Sequence, residues 1–557
     1  TKKHRQITID DMDFSITPSP FNLSDEQQSS LSAIQAIEGF GSHLVHGITG
    51  SGKTELYLRL AAEQLAQKKS IIILCPEISL TPQYTKHFTE RFHDYVCLLH
   101  SGLTVKQKEE QWSKIYDLES CVVIGPRSAI FAPTNNLGIM IIDEEHDLSY
   151  KQDNHPRYDT VQVAYWRGRF HDCPVILGTA TPTIETYAQA KQLVPTPFDH
   201  TYSQLNQRIS GHGLPKMTLI DMERAYQNGF SGLLSLSLLN AITDRLLNKQ
   251  KVLILLNRRG FAPYICCQGC GHVLVCDTCD LSYTYHQDKI FRCHRCDIKK
   301  PITHQCPSCN KPRLGFSGMG IQKVQLELQQ QFKEASIIRL DKDTAKTASQ
   351  MEQILNEFRD KGDILIGTQL IAKGHHIEAV TLVGVLGIDT LLNLPDYRSS
   401  ERAFHMMLQV AGRSGRGEHP GEVFVQTFQP NHYVFEYAKN HDVLGFVTKE
   451  LDFRKQLYYP PYATMINLII SSEIIKKATT YAQTLSKSLH DQLDDPDIHI
   501  LGPKPSPIEK IRNFFRFQVL IKFDRSHESC VREALMKVPQ APKDVRFIID
   551  FDPKQLL

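Results

Sequence analysis

The run "HLVHGITGSGKTELYLRLAAEQLAQ" (residues 43–67) restricts the fold more than any other part of the chain. Gly47 to Thr54 meets the pattern G-x-x-x-x-G-K-[ST] between an apolar strand candidate and an amphipathic helix candidate, the context that motif requires. Glycines let backbone N–H groups wrap phosphates, and the helix N-terminus adds positive potential. Gly47, Thr49, Gly50, Ser51 and Gly52 form the cradle, Lys53 reaches the β- and γ-phosphates, and Thr54 ligates Mg²⁺. This order of strand, phosphate loop and helix points to an α/β fold with ATP as the ligand.

The rest of the chain carries the matching texture. Short apolar runs alternate with longer amphipathic ones, as in parallel sheets flanked by helices. "SIIILC" (70–75), "CVVIG" (121–125), "LGIMIID" (137–143) and "PVILGTAT" (174–181) are buried-strand candidates of a first lobe. "KVLILLN" (251–257), "ASIIRLD" (335–341), "DILIGT" (363–368), "TLVGVLGID" (381–389) and "GEVFVQTF" (421–428) belong to a second. "LVPTPFDHTYSQLNQRISGHGLP" (193–215), rich in Pro, Gly and polar residues, reads as the linker between them. Past about residue 440, "YYPPYATMINLIISS" and "GPKPSPIEK" suggest a small α+β domain.

The 557 residues, at roughly 100–200 per domain, allow three or four domains. The boundaries expected are 1–20 for an N-terminal remnant or linker, 21–218 for the ATP-binding lobe, 219–440 for the second lobe and 441–557 for the terminal domain. No apolar run approaches the roughly 18 residues of a membrane span, and the N-terminus lacks a signal-peptide core, so the expectation is a soluble cytoplasmic chain. The first residue is Thr, which fits a polypeptide processed or cut from something longer. Lys plus Arg is 63 against 61 acidic residues, so a nucleic-acid partner must be met by local patches.

"IMIIDEEHD" (139–147) supplies the second half of a nucleotide engine. An apolar strand ending in two acids delivers Asp143 to the metal and Glu144 to the attacking water. In "QVAGRSGRG" (409–417), Arg413 and Arg416 lie three apart and would share a helix face, with Gln409 one turn before Arg413. An arginine finger contributes about 10³ to 10⁵ in rate. Placed on the second lobe, it would make hydrolysis depend on closure.

Eight of the 14 cysteines form four C-x-x-C pairs: Cys267/Cys270, Cys276/Cys279, Cys293/Cys296 and Cys306/Cys309. The other six, Cys75, Cys97, Cys121, Cys173, Cys266 and Cys530, are scattered and read as reduced core thiols. Each second cysteine of a pair is followed by Gly271, Asp280, Asp297 or Asn310, types that tolerate the positive φ of a zinc knuckle. Four knuckles make two zinc sites within an insertion at 262–312. The pairs can combine three ways. Inner pairs separated by 13 residues favour nesting: Cys267, Cys270, Cys306 and Cys309 on one ion, Cys276, Cys279, Cys293 and Cys296 on the other.

The ordered series "LSDEQQ", "GITGSGKT", "PEISLTPQ", "GPRSAIFAP", "DEEHD", "GTATPT", "LLNRRGFAP", "ILIGTQLIAKG" and "QVAGRSGRG" resembles superfamily 2 DNA helicases. The cysteines after "NRRGFAP", with "LPDYRSSERAFHMMLQVAGR", "YYPPYA" and "VLIK" downstream, extend the resemblance to the bacterial replication-restart helicases, the primosomal protein N-prime family. The likeness runs from about residue 20 to the C-terminus. It implies two RecA-like lobes and an ATP-dependent 3′-to-5′ helicase that remodels stalled or branched forks and initiates primosome assembly. It also implies single-stranded and forked DNA, the replicative helicase loader and single-stranded DNA-binding protein as partners of a monomer. The nested cysteine pairing is implied as well. A 3′-end-capturing module and a winged helix, also implied, are not found in this sequence.

By the same resemblance, Gln27 reads the adenine edge, and Thr179 and Thr181 relay nucleotide state to the DNA track. Gly367, Thr368, Gln369, Lys373 and Gly374 touch DNA or nucleotide from the second lobe. His375-His376, Gly387 and "RYDTVQVAYWR" depart from the family pattern. Tyr150, Lys151, Arg157 and Tyr158 resemble an aromatic-rich loop that couples strand binding to hydrolysis. In "EKIRNFFRFQVLIKF" (509–523), alternation favours core packing for Phe517 and Val519 over DNA contact. The competing readings are a double-strand translocase or RNA helicase, and a zinc-organised loading scaffold with a vestigial ATP site.

Overall fold

A computed structural model describes residues 13–556 apart from 77–81, 210–212, 231, 258–264, 268–273, 275, 277–282, 286–289, 294–297, 302–304, 311–313, 317–320, 342–343, 346, 369–379 and 416–419. The first lobe is a seven-stranded parallel sheet of β1 (Ser42–Gly47), β2 (Ser70–Leu74), β3 (Val96–Leu98), β4 (Val122–Gly125), β5 (Leu137–Asp143), β6 (Val175–Thr179) and β7 (His200–Leu205). Their spatial order is β3-β4-β2-β5-β6-β1-β7. The side chains of β1, β2, β4, β5 and β6 are buried throughout because helices cover both faces, which is why these strands read as unbroken apolar runs. β5, β6 and β1 are neighbours, so the loops leaving their C-terminal ends converge, and that edge is where ligands sit in such sheets.

The second lobe repeats the plan with β8 (Lys216–Asp221), β9 (Lys251–Leu256), β15 (Ile337–Leu340), β16 (Ile364–Gly367), β17 (Val380–Leu386) and β18 (Glu422–Thr427), ordered β15-β16-β9-β17-β18-β8 and all parallel. Between β9 and β15 stands the insertion. β10 (Ile265–Cys267) pairs antiparallel with β14 (Leu314–Phe316), closing its base. β11 (Thr284–Tyr285), β12 (Ile290–Arg292) and β13 (Lys299–Pro301) form a small antiparallel sheet inside it.

The terminal domain is an antiparallel sheet of β19 (Thr464–Ser472), β20 (His499–Ile511), β21 (Phe514–Phe523) and β22 (Arg546–Phe551), ordered β20-β21-β19-β22. The helix Ile475–Gln492 buries Ala478, Tyr481, Ala482, Leu485 and Leu489 against it, an apolar stripe at helical spacing. β20 and β21 meet at Arg512-Asn513, both at positive φ, as a two-residue hairpin turn with right-handed strand twist demands. Val519 is fully buried and Phe517 packs on the same core, so "EKIRNFFRFQVLIKF" is a hairpin with a packed second strand.

Three expectations are corrected. The segment 193–215 is not all linker, since His200–Leu205 is the edge strand β7 paired with β1; only its ends are buried, so its sequence carries no apolar run. A boundary at 218/219 cuts β8, which belongs to the second lobe; most of its residues are half-buried, and the pattern of a covered strand is missing. Cys530 is exposed on a surface helix, whereas Cys75, Cys97, Cys121 and Cys173 are core thiols; the side chain of Cys266 lies outside the described residues. No helix among the described residues is long and apolar enough to cross a membrane.

Candidate active site and metal centre

The phosphate loop joins β1 to the helix Lys53–Ala66. Its N-cap is Gly52 at φ +81°, with no side-chain cap, so the first N–H groups of the helix are left for an anion. A Cβ at Gly52 would also lie 2.3 Å from the Gln27 amide, so glycine is required twice over. Lys53 Nζ donates to the Gly47 carbonyl at 2.7 Å, holding the ammonium over the loop. Gln27 is buried as the third residue of a capping box: its Oε1 accepts from Ser24 N (2.9 Å) and its Nε2 donates to Ser51 O (3.0 Å). Gln27, Ser51, Gly52 and Thr54 line a cavity of about 670 Å³ with Phe21 and Arg208.

Asp143 closes β5 and accepts from Tyr57 Oη at 2.9 Å. Burial pushes its carboxyl up to about 7, assisted by the Glu144 charge and opposed by Lys53. A buried acid this close to the phosphate loop, with Thr54 in the first turn of the helix that follows it, offers the hard oxygen donors that suit Mg²⁺, which when bound would neutralise developing phosphate charge. Glu144 follows at φ +51°, a backbone conformation rare outside glycine and common at active sites.

The second lobe closes on this site through the helix Ser399–Ala411. At its end, a Cβ on Gly412 would lie 2.7 Å from Thr49 Oγ1, so the two loops touch backbone to side chain. Arg208 Nη1 donates to Ser414 O (3.3 Å) and Gly415 O (3.2 Å). Arg413 is within electrostatic reach of Glu144: burial pulls its guanidinium down to about 10, and the Glu144 carboxylate acts against that. Arg416 lies outside the described residues, as do Gln369, Lys373 and Gly374; Gly367 ends β16 and Thr368 is half-buried beside it.

His146 is the residue the sequence reading passed over. Its Nδ1 lies 2.7 Å from Thr179 Oγ1 and 3.5 Å from a Glu144 oxygen, and its Nε2 contacts the Gln409 amide across the cleft. Gln409 Nε2 also donates to Thr181 Oγ1 (3.4 Å), which joins acidic strand, Thr179-Thr181 turn and second lobe in one polar chain. The imidazole within "DEEHD" was the available signal; only tertiary structure gives it partners on two other elements.

Of the aromatic-rich loop, Tyr150 is buried with its Oη donating to Asp143 O (2.6 Å), and Lys151 is buried against the terminal domain. Tyr150 is therefore no DNA-stacking face, a correction to the sequence expectation, and Lys151 is engaged by the terminal domain and not exposed on a free loop. Tyr158 is half-buried, edge-on to Phe131 (5.1 Å).

In the insertion, Sγ of Cys267, Cys306 and Cys309 lie within 4.8 Å of one another, Cys267 and Cys309 at 3.6 Å. A disulfide needs about 2.05 Å. Thiolates at about 2.3 Å from one zinc ion stand roughly 3.8 Å apart, so the trio fits that metal. Asn310 takes φ +57° and its N–H donates to Cys306 O (2.9 Å), the knuckle turn expected after a second cysteine. Cys276 and Cys293 are buried together with Tyr283 and Phe291. Cys270, Cys279 and Cys296 lie outside the described residues.

Comparison with known proteins gives family-model matches to "DEAD/DEAH box helicase" over residues 24–190, "Helicase conserved C-terminal domain" over 319–418 and "Primosomal protein N C-terminal domain" over 455–554. The chain is 39% identical over 549 residues to replication restart protein PriA of Bacillus subtilis, covering 97% of this chain and 67% of that protein. It is 38% identical to its namesake in Chlamydia pneumoniae, covering 96% and 72%. The chain thus spans about two thirds of the length of the curated relatives it matches. Among solved structures, RecG bound to a three-way DNA junction aligns at TM-score 0.45 and 16% identity over 78% of this chain and 47% of that one.

Proposed function

The chain belongs to the replication restart protein PriA family, and we propose that it is the motor of an ATP-dependent 3′-to-5′ DNA helicase that opens stalled or branched forks and starts primosome assembly. The observation that carries this reading is the meeting of the two lobes over the phosphate loop, with Gly412 against Thr49 and Gln409 joined to His146. Lys53 and the bare helix N-terminus bind the β- and γ-phosphates, Thr54 and Asp143 hold Mg²⁺, and Glu144 orients the attacking water. Arg413, with Arg416, supplies positive charge from the opposite lobe. Hydrolysis therefore requires closure, and loss of the γ-phosphate removes the anion that both lobes share.

Cys267, Cys270, Cys306 and Cys309 hold one zinc ion, and Cys276, Cys279, Cys293 and Cys296 the other; the convergent outer trio supports that nesting. A structural zinc site contributes roughly 10–16 kcal/mol of folding free energy. The insertion is therefore a metal-built projection carried on a moving lobe, placed to meet parting strands and the primosome partners: the replicative helicase loader and single-stranded DNA-binding protein. The protein works as a cytoplasmic monomer on single-stranded and forked DNA.

The test compares the parent with Lys53→Ala in ATP turnover and in strand displacement on forked DNA, duplex DNA and RNA. The variant should lose turnover and unwinding while still binding the fork, because phosphate and strand are held on different surfaces. Equal turnover by both proteins, or displacement of RNA alone, would refute the assignment.

A further inference from the structure

The loop after the acidic strand is held by the far end of the chain. Lys151 Nζ donates to Phe551 O and lies 3.3 Å from Asp550 Oδ1, while Arg157 Nη1 lies 3.7 Å from Asp550 Oδ2. Lys151 and Asp550 have side chains only 7% and 8% exposed. An antiparallel bridge between Lys151 and Asp159, with Gln152 N donating to Tyr158 O (2.9 Å), folds the loop back on itself and brings Lys151 and Arg157 to one carboxylate. The adjoining Tyr150 donates to the carbonyl of Asp143. The terminal domain is thus linked to Asp143 through two residues, Lys151 and Tyr150.

Those ion pairs are looser than the roughly 2.7–2.9 Å of a tight charge-assisted bond. Burial pushes the Asp550 carboxyl above its ordinary range although two cations face it, so its charge is not fully compensated there. The tail beyond it is fastened independently: Arg402 donates to Lys554 O (2.6 Å), Asp396 accepts from Leu556 N (3.0 Å), and Lys554 pairs with Asp159 (3.3 Å). Asp550 can therefore let go without the tail leaving. A groove of about 450 Å³ lined by Lys108, Trp112, Arg127 and Ser128 reaches Ser149 and Gln152 on either side of Tyr150-Lys151. Trp112 is 40% exposed in it, and Arg127 Nη1 donates to Ser149 O (2.9 Å) and Lys151 O (3.3 Å), so the groove joins an aromatic face and cations, as single-strand tracks do, to the loop itself.

We propose that Lys151 and Arg157 are a binding site for a backbone phosphate of the DNA strand, and that Asp550 occupies this site until the phosphate displaces it. The exchange passes to the ATP site through the Tyr150–Asp143 bond, so Asp550 keeps hydrolysis low in the absence of DNA. This rests on the reading of the chain as a DNA-stimulated motor.

The experiment measures ATP turnover of the parent and of Asp550→Asn with and without an oligothymidylate, with thermal melting as the folding control. The variant's DNA-free turnover should rise by about fivefold or more, the lower end of ordinary coupling between sites, and its remaining stimulation by DNA should shrink in proportion. If the parent responds to DNA and the folded variant does not rise, the Asp550 mechanism is wrong and the motor reading stands. If the parent itself does not respond to DNA, the motor reading falls and takes this one with it. Should the variant not fold, hydrogen exchange of the parent decides: amides of 546–551 must lose protection when the oligonucleotide binds, and unchanged protection overturns the proposal.

Discussion

Replacing Glu401 by Gln removes one charge from a cluster that pins three parts of the chain together. Glu401 Oε1 accepts from Ile184 N (2.9 Å), and its Oε2 accepts from Arg398 (3.1 Å) and Arg454 (2.8 Å). The same guanidiniums grip Glu185, Arg398 at 2.6 and 2.9 Å and Arg454 at 2.8 Å. Glu185 belongs to the first lobe, Arg398 and Glu401 to the second, and Arg454 to the helix Val443–Gln456, where it is fully buried. At an effective dielectric constant near 20, charges about 4 Å apart attract by about 4 kcal/mol, so two partners hold the Glu401 carboxylate by about 8 kcal/mol. The amide escapes the desolvation cost of a buried carboxylate, several kcal/mol, but leaves the two arginines with one excess positive charge. The net loss is about 3–5 kcal/mol, which is roughly a 10²- to 10⁴-fold rise in the open population. Urea unfolding followed by the fluorescence of the chain's 2 tryptophans, Trp112 and Trp166, measures it. The two arginines hold the Glu401 carboxyl well below the ordinary carboxylate range. Its contribution is therefore present above the unfolded pKa and fades as pH falls through the folded one; the variant should lack that acid-side decline. A loss under about 1 kcal/mol would place the cluster among exposed ion pairs and refute the reasoning.

Arg413→Ala should lower DNA-stimulated turnover by about 10³ or more with nucleotide binding retained, as measured by steady-state hydrolysis and fluorescent-nucleotide titration. Asp389, buried against Thr427 and Phe428 N, has its carboxyl pushed up to about 6 by burial. A raised carboxyl contributes stability below its unfolded pKa and loses it as pH rises through 6, so parent minus Asp389→Asn stability should fall by a few kcal/mol between pH 4 and 7 in denaturant titrations. Metal analysis should find two zinc ions per chain and one fewer in Cys309→Ser, with chelation exposing the insertion to protease before either lobe.

The local chemistry was legible in the sequence because it is written in contiguous residues. A phosphate loop needs glycines, a lysine and a following helix within 8 positions, Gly47 to Thr54, and each buried strand must be apolar along its length when helices cover both sheet faces. The cysteine pairs and their turn residues, of which Asn310 is one, are legible for the same reason. The edge strands β7 and β8 were not, since an edge strand needs no continuous apolar run, and their pairing with β1 and β18 comes from parts of the chain well over a hundred residues away. What the tertiary structure alone decided is which charges meet. Lys151 and Asp550 are 399 positions apart, Glu185 and Arg454 are 269, and His146 finds Gln409 across a cleft. Nothing local distinguishes a lysine that will meet DNA from one that a distant carboxylate will hold, because both are amphipathic side chains on a polar loop. Burial in a shared low-dielectric interface turns them from solvated charges into a coupled device, and that burial exists only once three domains are packed together.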